Sequence, residues 1–291
     1  MRNRNRNVRA KILRAKTTFQ GSTGVSKHFQ MVHGEPFAER ALQGRGNPLV
    51  AITLINDHDP LNIRLYRSMG FVVGRYAKGV RLVITCRHAL QQGAPYTWVV
   101  GCRNPKPRVW DVLGNAIPDA EPETDIAFLL MRDPAQAKTH VFALTRQDPP
   151  IRNGQILYNA GNRCDPVSGV YDVYIARQQP VREIERIAFC KFSSPTLRMV
   201  HPNNADDRAV CEREGFLPHR VINMVSRASF SGSPIFDAEL NLYGMDVRGS
   251  EPGTSVHAEQ GDTVICVPTS ALYAARERVM PQIKERIAAY L

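Results

Sequence analysis

Short runs of β-branched and other apolar residues, broken by Gly, Pro, Asn and Asp, recur along most of the chain. They include PLVAITLI (48–55), GFVVGRY (70–76), VRLVITC (80–86), YTWVVGC (96–102), DIAFLLM (125–131), GQILYNA (154–160) and GVYDVYIA (169–176). Further on come HRVINMV (219–225), SPIFDA (233–238), LNLYGMDV (240–247) and DTVICVP (262–268). About ten short strands, with no amphipathic helices of 10–15 residues between them, predict an all-β sandwich or barrel rather than βαβ units. The end of the chain differs. TSALYAARERVM sets Leu272, Ala275 and Val279 on one helical face, and Ile283 and Ile287 follow four apart. This predicts a C-terminal helix from about residue 269, stopped or kinked at Pro281. Residues 194–219 are polar and poor in strand pattern, and read as a long surface insertion.

Composition narrows the class. A chain of 291 residues with 43% hydrophobic and 22% charged residues is globular. No apolar run approaches the roughly 18–20 residues that cross a bilayer, and MRNRNRNVRAKILRAK has no apolar stretch of the secretory kind. The net charge of +11 is uneven: residues 1–34 hold eight Lys or Arg and no acid, which leaves about +3 for the rest. The basic character thus belongs to an arm, expected to be disordered. It fits a solvated tail, a contact with nucleic acid or an anionic membrane surface, or an organelle transit segment. The six cysteines show no C-x-x-C spacing and several lie inside apolar runs, as buried thiols do. A cytoplasmic location is expected on these grounds, with organelle import if the host is eukaryotic.

Three polar residues stand at the edges of apolar runs. LVITCRHAL places His88 just after one, ETDIAFLLM places Asp125 just before one, and SFSGSP places Ser231 in a tight turn before another. Acyl transfer at neutral pH needs a nucleophile, a base to take its proton, and a group that orients and charge-stabilises the base. Alone, each residue is equally a surface histidine, a turn aspartate or a turn serine. Together, in the order His, Asp, Ser, with intervals of 37 and 106 residues, they resemble the trypsin-like serine proteases, nearest the HtrA-type branch. SMGFVVG (68–74) resembles that branch's G-S-G-F-V, VITCRHA its L-T-x-x-H-V, and TDIAFLLM its D-I-A-V-L. SFSGSPIFDAELNLYGM is similar to its G-N-S-G-G-P-L-F segment, and VICVPTSAL to its closing F-A-I-P-S strand.

The resemblance implies two six-stranded antiparallel β-barrels with a cleft between them, a C-terminal helix and no PDZ domain. Residues 1–45 would be arm and connector, and residues 46–291 the protease domain. His88, Asp125 and Ser231 would form the catalytic triad of an endopeptidase acting through an acyl-enzyme on protein or peptide substrates. The backbone N–H groups of Ser229 and Ser231 would form the oxyanion hole. Val225 would lie at the floor of the specificity pocket, and Val247, Arg248 and Gly249 along the substrate backbone. No cofactor or metal is called for. An apolar floor at Val225 favours an aliphatic residue before the scissile bond (P1), whereas Asp246 pointing inward would favour a basic one. The sequence also departs from the family. Ser229 and Ser233 stand where glycine is usual, which would cost roughly 1–2 kcal/mol wherever the backbone is left-handed. Arg87 replaces a small residue, and Val247 replaces a serine or threonine that supports the aspartate. These departures keep open a catalytically silent binding module whose basic arm contacts nucleic acid or an acidic partner.

Overall fold

Alternating burial along extended runs forces those runs to pair and curl, because one face of each strand must leave water. In a computed structural model of the chain, residues 47–56, 64–90, 96–101, 108–133, 139–162, 164, 173–178, 181–193, 196–224, 226, 229–249 and 263–291 are described. The basic arm and Val225 lie outside them.

The first half holds β1 (Leu49–Asn56), β2 (Arg64–Arg75), β3 (Val80–Cys86), β4 (Tyr96–Gly101), β5 (Arg108–Val112), β6 (Ile117–Pro118) and β7 (Ile126–Arg132). Antiparallel pairing runs β3-β2-β1-β4-β5-β7, and β7 pairs back to β3 over seven residues, from Val80↔Arg132 to Cys86↔Ile126. The ring is therefore a closed six-stranded barrel, with the two-residue β6 beside β5 on the same edge of β7. A single turn of helix, α1 (Arg87–Leu90), follows β3.

The second half holds β8 (Tyr158–Asn162), β9 (Val173–Arg177), β10 (Glu183–Ser193), β11 (Thr196–Val200), β12 (Leu217–Ile222), β13 (Pro234–Phe236), β14 (Leu242–Gly249) and β15 (Val264–Pro268). Its sheet order is β11-β10-β12-β15-β14-β13-β8-β9. The chain that joins β9 to β10 links the two sides of this sheet. Beyond β9 the chain keeps pairing with the segment before β8, through Gln178 N–H to Leu157 O at 2.9 Å and the bridge Gln155↔Val181, and then enters β10. Leu157, Val181, Ile222, Met224, Ile235, Tyr243, Val264 and Cys266 fill the interior of this second barrel.

Residues 194–219 are not the featureless insertion expected from their polarity. β11 closes a hairpin on β10, and α2 (Ala205–Arg213) starts where the Asn204 side chain accepts the Asp207 N–H at 2.8 Å. The helix is mostly exposed and is held by Cys211, which packs with Phe189 and Phe216. That narrow contact explains the weak periodicity. The C-terminal helix, α3 (Thr269–Tyr290), runs through Pro281 rather than ending there. Leu272, Ala275, Val279, Ile283 and Ile287 form one unbroken buried stripe against both halves.

The barrels share a core. Phe142, in the connection between them, meets Phe71 of the first edge-on at 5.5 Å and Phe236 of the second at 5.5 Å; Phe236 stacks on Tyr158 at 5.8 Å. Polar ties cross alongside: the Asn162 side-chain amide donates to Ile52 O at 2.8 Å and Ser68 O at 2.9 Å.

Candidate active site

His88 and Asp125 are brought together by the β3–β7 pairing, which sets Cys86 opposite Ile126 and so the next residue outward on each strand side by side. Arg87 N–H donates to Asp125 O at 2.8 Å and His88 N–H to Asp125 Oδ1 at 2.7 Å. His88 Nδ1 lies 2.6 Å from Asp125 Oδ2. An ionised carboxylate only accepts, so Nδ1 carries the proton and Nε2 holds the lone pair. Asp125 is completely buried and has φ 54°, a left-handed conformation that Asp tolerates better than most residues.

The turn carrying Ser231 is fastened from several sides. Phe230 O accepts from Ser233 N–H at 2.8 Å, Ser231 O from Met69 N–H at 2.8 Å, and Ser229 O from Asn162 N–H at 3.4 Å. In a trans peptide the C=O and the following N–H point in opposite directions, so the Ser231 N–H faces away from the turn's interior. Ser229 has φ 86° and Gly232 φ 84°. Serine at the first position carries strain, whereas glycine at the second is obligatory: a Cβ there would lie 2.0 Å from Met69 O. Ser233 has no such problem. It is fully buried, and its hydroxyl accepts Ala160 N–H at 2.7 Å and donates to Pro234 O at 3.1 Å. Where a glycine was expected, a side chain instead ties the turn to β8.

The Ser231 hydroxyl donates to Val247 O at 3.3 Å rather than to His88. Val247 is the extra residue of a bulge between Asp246↔Cys266 and Arg248↔Ile265, which releases its carbonyl from the β14–β15 ladder. Its side chain is in the shared core, so it offers Asp125 no hydroxyl. A different residue stands under the aspartate: the donor atoms of Cys86, His88 and Asp125 lie within 4.8 Å of one another, and Cys86 Sγ donates to Asp246 O at 3.4 Å. Burial, reinforced by the Asp125 and Asp246 charges, pushes the Cys86 thiol well up, so it is held as S–H. Metal binding would need the thiolate and would compete for carboxylate oxygens already bonded to His88. The cluster therefore fits a hydrogen-bonded support better than an ion site.

Sequence reasoning missed Cys86, although the signal was present. Alternation along β3 puts Val80, Leu82, Ile84 and Cys86 on the face shared with the second barrel. Of the other site residues, Arg248 is exposed on β14 and Gly249 ends that strand, while Val225 lies outside the described residues. Asp246 points inward. It is completely buried, burial pushes its carboxyl up to about 7, and Oδ2 accepts from the Asn159 amide at 3.4 Å.

Among solved structures the chain is similar to the active form of the Rv3671c protease from M. tuberculosis. The identity is 15% and the TM-score 0.52, over 89% of this chain and 92% of that one. It is also similar to the inactive form of Rv3671c protease, at 16% identity and a TM-score of 0.46 over 80% and 88%. No protein-family model matches the sequence, and no curated protein does. The likeness is one of fold: the chain is a trypsin-like double β-barrel with a C-terminal helix.

Proposed function

We propose that the protein is a serine endopeptidase in which Ser231 attacks the scissile carbonyl, His88 takes its proton, and Asp125 holds the imidazole and stabilises its charged form. The observation that carries this reading is the completely buried Asp125 bonded twice to His88, at 2.7 and 2.6 Å, with Cys86 of the same strand end donating to the Asp246 carbonyl that also accepts Gly232 N–H of the strained Ser231 turn. In this reading the Ser231 hydroxyl exchanges its bond to Val247 O for one to His88 Nε2. The released Val247 carbonyl then becomes an acceptor for substrate backbone. The N–H groups of Ser229 and Ser231 would stabilise the oxyanion. Residues 46–291 would be the protease unit, nearest the HtrA type, with 1–45 outside it. A fold neighbour that is itself a protease supports a protein substrate. A fluorophosphonate probe should label the wild-type protein and leave Ser231→Ala unlabelled; a folded wild type that takes no label overturns the reading.

The hydroxyl's bond to Val247 O and the left-handed Ser229 also favour a second reading, a silent binding module. In that case the +8 arm would dock on nucleic acid, and deleting residues 1–34 would abolish retention on a DNA column that full-length protein loses between 50 and 200 mM salt.

A further inference from the structure

The loop that delivers Asp125 is short. β6 ends at Pro118, paired with Ala127, and the chain doubles back through a single 3-10 turn (Pro122–Thr124) to Asp125 and β7. Asp125 closes this loop with φ 54°, a backbone that persists only where its surroundings over-determine it. His88 and Arg87 grip it from the front, through its carboxylate and its carbonyl. The chain on either side of it is fixed by Asp119.

Asp119 bonds the residue before Asp125 and the residue after it. Its Oδ2 accepts the Thr124 hydroxyl at 2.7 Å, and its N–H donates to Ile126 O at 3.0 Å. An ionised carboxylate only accepts, so the hydroxyl donates to Asp119, with Glu121 O at 2.9 Å as a second acceptor. The Asp119 side chain is completely buried, and Arg278 of α3 is the cation that compensates it. Arg278 Nε donates to Oδ1 at 2.9 Å and Nη2 to Oδ2 at 2.6 Å; Nη2 also lies 3.2 Å from Glu121 Oε2. Arg278 precedes Val279 of the buried stripe, so the packing of the helix sets the base of this fork. An apolar contact would join helix and loop without taking a carboxylate out of water. The two-pronged ion pair adds fixed direction, and with it a hydrogen-bonded path from α3 through Asp119 and Thr124 to the chain at Asp125.

We propose that Asp119 and Arg278 are positioning residues for catalysis. With Thr124 they set the backbone of Asp125, and through it the orientation of the His88 ring, so that the C-terminal helix is a working part of the active site. The proposal rests on the serine-hydrolase reading of Ser231. Without the Thr124 bond the turn can relax toward a right-handed backbone at Asp125, which draws its carboxylate oxygens away from His88 N–H and Nδ1. None of these groups belongs to β14 or the Ser231 turn, so the loss falls on kcat and not on KM.

The test is made in the full chain with Thr124→Val, which keeps the side chain's shape without its hydroxyl, and Thr124→Ser, which keeps the hydroxyl. Thr124→Val should lower kcat about ten-fold or more with KM within about two-fold, and Thr124→Ser should recover most of the loss. Arg278→Lys, which keeps the charge but not the fork, should lower kcat at least about three-fold. The His88 Nδ1 proton gives a readout that needs no turnover, because a 2.6 Å bond to a carboxylate moves it far downfield in the proton NMR spectrum. Thr124→Val should shift that resonance upfield or broaden it away, and Thr124→Ser should leave it in place. Fluorophosphonate labelling of Ser231 combined with an unchanged kcat in Thr124→Val overturns the proposal and leaves the hydrolase reading standing. A resonance unmoved in both Thr124→Val and Arg278→Lys, whatever their melting temperatures, makes the network structural only and overturns the proposal even if the protein hydrolyses nothing.

Discussion

Cys86 shows how a residue can take over a task through neighbours far away in the chain. Its thiol, kept as S–H by burial, sits within 4.8 Å of the Asp125 and His88 donor atoms, where the core valine at 247 provides no hydroxyl. Cys86→Ala should lower kcat by about ten-fold with little change in KM, because it disturbs the Asp–His pair and not the substrate surface. Cys86→Ser, which restores a donor, should recover most of that loss; equal kcat in both variants would mean the thiol only fills space. Ser229 calls for the opposite remedy. At φ 86° its side chain opposes the backbone, so Ser229→Gly should raise stability by about 1 kcal/mol, read as a higher melting temperature. An unchanged or lower melting temperature would show that the surrounding turn, not the residue, carries the cost.

Among the elements, the turn between β12 and β13 matters most, because it is pressed against β2 of the other barrel. Met69 donates to Ser231 O, and Thr85 Oγ donates to Met69 O at 2.7 Å, which leaves no room beside Gly232. Gly232→Ala should cost about 4 kcal/mol or more, since it adds a left-handed alanine to a collision with backbone that is itself hydrogen-bonded. Urea unfolding would reveal it, and a loss under about 1 kcal/mol would show that the barrels slide apart easily. Most strands were legible from period-two alternation, and α3 from its stripe. β10 and β11 escaped because EIERIAFCKFS and TLRMV mix charge into both faces of a hairpin that extends past the barrel. α2 was marked by its Asn204 cap and the acids Asp206 and Asp207 in its first turn, signals that its single buried residue, Cys211, did not reinforce.

For the whole molecule, Asp246 links stability to pH. Its carboxyl is raised from 3.8 to about 7 by burial, so the folded state binds a proton that the unfolded chain has already released above pH 4. Stability contributed at this site is therefore full below about pH 4 and falls as pH rises to about 7, by roughly 1 kcal/mol per unit at most. Asp246→Asn should remove that slope, so the gap between variant and wild type should shift in favour of the variant from pH 4.5 to 7.5. A constant gap in urea unfolding would show that the carboxylate is already accommodated in the folded protein.

Alternation and turn residues were enough to read an all-β chain with a C-terminal helix, because those signals are local, whereas His88, Asp125 and Ser231 were singled out only by their joint resemblance to a known family. Which groups meet depended on pairings across long stretches of chain. Cys86 reaches Asp246 across 160 residues, and Arg67 reaches Cys164 across 97. The orientation of the Ser231 hydroxyl toward Val247, the need for glycine at 232 and the Asp246 carboxyl oxygen left without a partner among the described residues have no local signature. Each arises where two barrels exclude water together, and only there does a polar atom lose the solvent that would otherwise have satisfied it.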